Sequence, residues 1–196
     1  MEAEHRRCLE LAKRALALGG DDPQIGAIGG FLLLAIGYDH AAGIATTQRA
    51  LEANPNNSIV LRQAAVCDVL AGDLDRGIAA YHRGHELGPG APDSDRFLSG
   101  IGFGHFFKRD FETAVDWLQR AREVRSDWPT TLWVLTAAYA HLGRMDEARA
   151  MLLDVRLASP YLDLDRVAYV GKRSDGRHDL VSEGLRKAGL PETIAP

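Results

Sequence analysis

A spacing of 34 residues organises the middle of this chain. Leu98 and Leu132, Ile101 and Leu135, Phe111 and Met145, and Ala114 and Ala148 are each separated by that interval. Large apolar residues recur at some of these positions and a small one at another, which is the pattern of two helices that touch. One helix pair cannot bury its own apolar stripe, so pairs repeated at a fixed period must stack and share a core. A small residue at Ala114 and Ala148 marks where the two helices of a pair cross.

The rest of the chain extends the pattern. Residues 2–18 read as one amphipathic helix, with Cys8, Leu11, Ala12, Ala15 and Leu18 at helical spacing and Gly19-Gly20 as its stop. Asp21-Asp22-Pro23 starts an apolar, glycine-containing helix that runs to about Ile36. Gly37-Tyr38-Asp39 turns the chain with a slight irregularity in length, and a partner helix follows over 40–53. Asn54-Pro55-Asn56-Asn57 ends it. Ser58 is the expected cap of the next helix, 59–70, and Gly72-Asp73 leads to its partner, 74–87. Gly77 takes the slot of Ala114 and Ala148. Leu61 to Leu98 is 37 residues, one period plus a three-residue insertion around Pro92-Asp93-Ser94. In the last pair Gly143 makes the turn, Asp146 is the expected cap and Pro160 closes. Beyond it, 163–170 reads as a short helix, 171–177 as a basic loop, 179–188 as a final amphipathic helix and 191–196 as a frayed end.

This helix-turn-helix pattern resembles the tetratricopeptide (TPR) repeat over 23–162. The resemblance implies an all-α, right-handed superhelix of antiparallel helix pairs. The divisions are 1–22, the second helix of a preceding repeat; 23–57, 58–94, 95–128 and 129–162, four repeats; and 163–196, a C-terminal capping segment whose last helix covers the end of the stack. A chain that opens on a second helix is expected to continue upstream in its parent protein.

A net charge of −4 with scattered basic residues speaks against nucleic acid as a partner. The longest apolar run, 27–36, is too short for a bilayer span. Two distant cysteines, Cys8 and Cys67, read as buried free thiols of a reducing, cytoplasmic compartment.

First helices line the concave side of such a repeat. The groove positions are then Ile28 and Leu32; Arg62, Val66 and Val69; Phe103, Phe106 and Phe107; and Trp133, Ala137 and His141. Repeat grooves that grip an acidic peptide C-terminus use lysine and asparagine at such positions. Here Arg62 alone is of that kind, so the expected ligand is an amphipathic helix of a protein or peptide, or a second copy of the chain in a homodimer. The competing reading is that the phenylalanines are core and the groove is filled by the chain's own tail.

No motif assembles chemistry. Gly100-Ile101-Gly102-Phe103-Gly104 lacks the third glycine of a dinucleotide loop, where His105 stands, and lies inside a helix. His82 and His85 are three apart with Glu86 after them, unlike the zinc-protease pattern. There is no G-x-S-x-G. The expectation is a non-enzyme without cofactor or metal.

Four blocks, YDHAAGIATTQRALEANPNN, GDLDRGIAAYHRGHELGP, LGRMDEARAML and GLRKAGLPE, resemble the C-terminal repeat region of bacterial adenylate cyclases. That resemblance implies the non-catalytic regulatory part of a cyclase-like signalling protein. No cyclase catalytic residue maps onto this chain. The alternatives are a chain with cyclase activity of its own, and the effector region of a winged-helix transcriptional regulator.

Overall fold

The computed structural model describes residues 2–19, 21–171 and 177–194. They form eleven α-helices and no strand: α1 (Glu2–Gly19), α2 (Pro23–Ala35), α3 (His40–Ala53), α4 (Ser58–Ala71), α5 (Leu74–Leu87), α6 (Ser94–Phe107), α7 (Phe111–Val124), α8 (Pro129–His141), α9 (Met145–Ala158), α10 (Leu164–Gly171) and α11 (Arg177–Ala188). The all-α class and the antiparallel pairing, α2 with α3, α4 with α5, α6 with α7 and α8 with α9, agree with the 34-residue reading. The chain forms two compact units, Met1–Gly90 and Ala91–Pro196.

In the first unit the helix crossings are made by residues without bulk. A Cβ on Gly30 would lie 2.9 Å from the Gly43 carbonyl oxygen, and one on Gly43 2.8 Å from that of Gly30. Backbone meets backbone there. The next crossing repeats the device, with Gly77 set against the Ala65 carbonyl. A buried carboxylate ties α3, α4 and α5 together: Asp68 accepts from Gln48 Nε2 at 3.2 Å and from Arg76 Nη2 at 2.5 Å. Beside it, burial pushes the Cys67 thiol up to about 12. Cys67 is therefore the expected buried thiol, whereas Cys8 is only partly covered.

In the second unit Ala114 and Ala148 are fully buried at the equivalent crossings. The Ser99 and Thr131 hydroxyls, 2.7 Å apart, join α6 to α8 inside the core. Arg122 Nη2 donates to Asp154 at 2.6 Å and joins α7 to α9.

Each turn between a first and a second helix carries one left-handed residue: Tyr38 (φ 56°), Gly72 (φ 98°), Arg109 (φ 64°) and Gly143 (φ 75°). Only two of the four are glycine. Tyr38 and Arg109 accept strain of about 1–2 kcal/mol relative to glycine. The next residue is the cap. Asp39, Asp73 and Asp110 accept backbone amides of their helices, but the fourth position is Arg144, which bonds Glu147 instead.

Two expected caps are corrected. Asn57, not Ser58, caps α4, because its side chain reaches the Ile59 and Val60 amides. Asp146 lies inside α9 and caps nothing there. The tail is also more tied down than expected. Leu164 N donates to Pro191 O, Asp165 N to Glu192 O and Ile194 N to Asp163 Oδ2. Most of the basic stretch 172–177 lies outside the described residues.

Replacing Ala148 by leucine is expected to overpack the α8–α9 crossing and lower stability by about 1–3 kcal/mol in denaturant unfolding. Arg109→Gly is expected to act in the other direction, stabilising by about 1 kcal/mol, because it relieves a left-handed residue other than glycine.

Candidate functional site

The candidate site is the exposed side of the first helices, and the structure sorts its expected residues into four groups. In the first unit Arg62 and Val66 are half-buried on α4, while Val69 is nearly covered and belongs to the core. In the second unit Phe103 and Phe107 on α6 and Trp133 on α8 are half-buried, and Phe106 is fully enclosed. Phe106 packs edge-on against Phe107 at 5.6 Å and also touches Phe111 and His141.

Ala137 and His141 form the third group. They lie on the expected side of α8, but α11 runs antiparallel along them. A Cβ on Gly184 of α11 would fall 2.6 Å from the Ala137 Cα, so the two helices touch at backbone level. His141 Nε2 hydrogen-bonds the Leu180 carbonyl at 2.8 Å, and its ring stacks on Phe111 at 4.7 Å. Leu180, Val181, Leu185 and Ala188 are buried in the same cluster. These two positions are therefore covered by the chain's own C-terminal helix, as the self-filled reading allows. Lys187, with smaller contributions from His141 and Arg109, holds the Glu183 carboxylate below its usual range.

Ile28 and Leu32 need a correction of register. The small residues at the crossing are 12 apart in the later pairs (Ala65 to Gly77, Gly102 to Ala114) but 13 apart in the first (Gly30 to Gly43). The extra residue sits in the Gly37-Tyr38 turn. Counted from the crossing, the equivalents of Val66 and Phe103 are Phe31, and those of Leu70 and Phe107 are Ala35. All six are half-buried. Phe31 and Ala35 were hidden in the sequence by an unbroken apolar run that fits either register. Ile28 and Leu32 lie one step round the helix, on a different face.

The chemistry available is that of surface contact. Among the described residues no group of three or more histidine, cysteine, aspartate or glutamate side chains is placed to hold a metal ion. Gly100–Gly104 lies within α6, where Gly102 packs against Leu118. His82 and His85 both lie on α5. No described helix is long and apolar enough to cross a membrane.

Comparison with known proteins yields the fold. No family model and no curated protein matches the sequence. Solved structures do match. The pilF protein of Pseudomonas aeruginosa aligns over 95% of this chain and 80% of its own, with TM-score 0.69 and 11% identity. MamA aligns over 78% and 88%, with TM-score 0.56 and 20% identity. YrrB, described as a TPR protein with an unusual peptide-binding site, aligns over 92% and 91%, with TM-score 0.56 and 18% identity. The helix hairpins thus have the tetratricopeptide fold.

Asp163 at the head of α10 ties the C-terminal tail to that helix. Amides of Arg166 (2.9 Å) and Ile194 (3.2 Å) hold its carboxylate below the usual range, the Arg166 amide most strongly. A lowered carboxylate pKa contributes stability above the unfolded value and loses it as pH falls through the folded one. Asp163→Asn is expected to lower Tm at about pH 7, and the difference from wild type is expected to shrink as pH falls below the usual carboxylate range and through the depressed folded value.

Proposed function

We propose that this chain is a non-catalytic interaction module that receives an apolar, helical segment of a partner protein on its first helices. The observation that carries this reading is the partial exposure of large apolar side chains on first helices: Phe31 and Val66 in one unit and, in the other, Phe103, Phe107 and Trp133. Within the second unit three aromatic side chains stay partly accessible on the first helices, and exposed aromatic surface of this kind marks an interaction site. Arg62 is the single cation among these positions, which favours an apolar helix over an acidic peptide terminus. The peptide-binding site named for YrrB belongs to a protein of the same fold and supports this kind of use.

The setting we propose is cytoplasmic, within the regulatory region of a cyclase-like signalling protein. That setting rests on the four sequence blocks; the fold likenesses support the scaffold alone. A chain with cyclase activity of its own would turn over ATP in the presence of a divalent metal, and no turnover is expected. A winged-helix regulator is the other parent that accommodates the same repeats.

Selection of helical peptides from a displayed library is the direct test. Selected binders are expected to lose about tenfold or more in affinity with Phe103→Ala or Trp133→Ala, the loss of one aromatic anchor, while the circular-dichroism helix signal stays unchanged. Binders indifferent to both substitutions would remove this surface from the account.

A further inference from the structure

The outer side of α9 carries apolar residues where the other second helices carry polar ones. The crossing residues Gly43, Gly77, Ala114 and Ala148 set a common frame for the comparison. Nine residues after them α3, α5 and α7 have Glu52, Glu86 and Glu123, whereas α9 has Leu157. Five residues after them stand Gln48, His82 and Gln119, whereas α9 has Leu153. Thirteen residues after them, just past each helix, stand Asn56, Gly90 and Asp127, whereas the fourth pair has Tyr161.

Exposure at two of these places belongs to the repeat itself. Glu52, Glu86 and Glu123 are all exposed although another pair follows each of them in the chain, and so are Asn56, Gly90 and Asp127. Leu157, 81% exposed, and Tyr161, 75% exposed, are thus apolar at positions that water reaches in every pair. Leu153, one turn back from Leu157, is 65% exposed. Spaced four apart, the three side chains form one stripe.

The edges of the stripe are charged in different ways. Arg149 and Arg156 border one edge, both exposed, at places where earlier second helices have Ile44, Ile78 and Val115, and Leu51, His85 and Arg122, all buried or half-buried. Arg149 has only the exposed Asp146 beside it, at 3.9 Å, and Arg156 makes no ion pair among the described residues. On the other edge Asp154 is already held by Arg122 at 2.6 Å. There Leu157, Leu132, Arg122 and Asp154 border a hollow of about 410 Å³. That lies within the range of about 300–1,000 Å³ that takes ligand groups, so a large side chain fits it.

These features select the occupant. A stable contact between two copies engages about 20–30 residues a side, far more than this stripe offers. Antiparallel self-pairing would also set Arg149 and Arg156 against the same two arginines. A lipid surface has no protruding group for the hollow, and Asp127 on its wall repels anionic lipid. We propose that the α9 stripe binds a short amphipathic helix of a partner protein with acidic residues along one edge. Its apolar side covers Leu153, Leu157 and Tyr161, one large side chain enters the hollow, and its carboxylates meet Arg149 and Arg156. None of these residues belongs to the first-helix surface, so the two readings stand or fall independently.

The test uses a displayed library of helical peptides about 15–20 residues long, the length at which isolated helices begin to hold. It is selected on the full wild-type chain, and the binders are sorted by the substitution that abolishes their capture. Leu157→Glu and Leu153→Gln give α9 the residues of the other second helices, so the fold is kept, which circular dichroism checks. One class of binders is expected to lose about tenfold or more in affinity with either substitution, as for the loss of one anchor. That class is expected to be indifferent to Phe103→Ala and to Leu87→Glu on α5, and to carry aspartate or glutamate on one edge. Its members remade with lysine for those acids are expected to bind wild type poorly and to regain affinity for the chain with Arg149→Glu and Arg156→Glu.

The absence of any binder sensitive to Leu157→Glu would overturn the proposal. So would equal loss with Leu87→Glu, or equal binding of the lysine peptides to wild type. Capture of the chain by phosphatidylserine vesicles that Leu157→Glu abolishes would make a membrane the occupant instead. A dimer that Leu157→Glu converts to monomer in sedimentation would make it a second copy.

Discussion

Close approach of helix backbones at small side chains is the constraint on which the hairpins depend. Gly30 and Gly43 face one another with no side chain between them, and Gly77, Ala114 and Ala148 hold the same place in the later pairs. Once backbones meet there, the larger residues on either side, Leu61, Ile101, Leu118, Leu132 and Leu135, interlock and are enclosed. Bulk at the crossing would hold the helices apart and open gaps along their whole contact, and interior packing tolerates little of that. Polar ties such as Asp68 with Gln48 and Arg76 then fix which helices are joined, because a buried carboxylate without donors would be costly.

Much of this was legible in the sequence because spacing encodes it. The 34-residue interval locates the pairs, and the glycine and alanine positions locate the crossings. What remained hidden is conformational or depends on length. Nothing in the identity of Tyr38 or Arg109 announces a left-handed backbone; only their place before the capping residue does. Asn57 and Ser58 are both good caps in isolation, and the choice between them turns on which backbone leaves the helix first. The register error at Ile28 and Leu32 has a similar origin. One extra residue in the Gly37-Tyr38 turn rotates the apparent groove by one position, and the surrounding apolar run gives no contrast to reveal it.

The candidate surfaces were harder to read, because exposure depends on neighbours distant in sequence. Trp133, Ala137 and His141 share one side of α8, yet Gly184 and Leu180 bring α11 onto Ala137 and His141. The spacing of Leu180, Val181, Leu185 and Ala188 shows an amphipathic helix and leaves open where it lies.

The backbone contact between Gly30 and Gly43 is the place to test the account. A nuclear Overhauser experiment on the chain with labelled glycines reads it without perturbing any side chain. Strong cross-peaks between the α-protons of Gly30 and Gly43 are the predicted result. Their absence, with both helices still formed, would mean that the pair does not close backbone to backbone and that the small residues serve some other end.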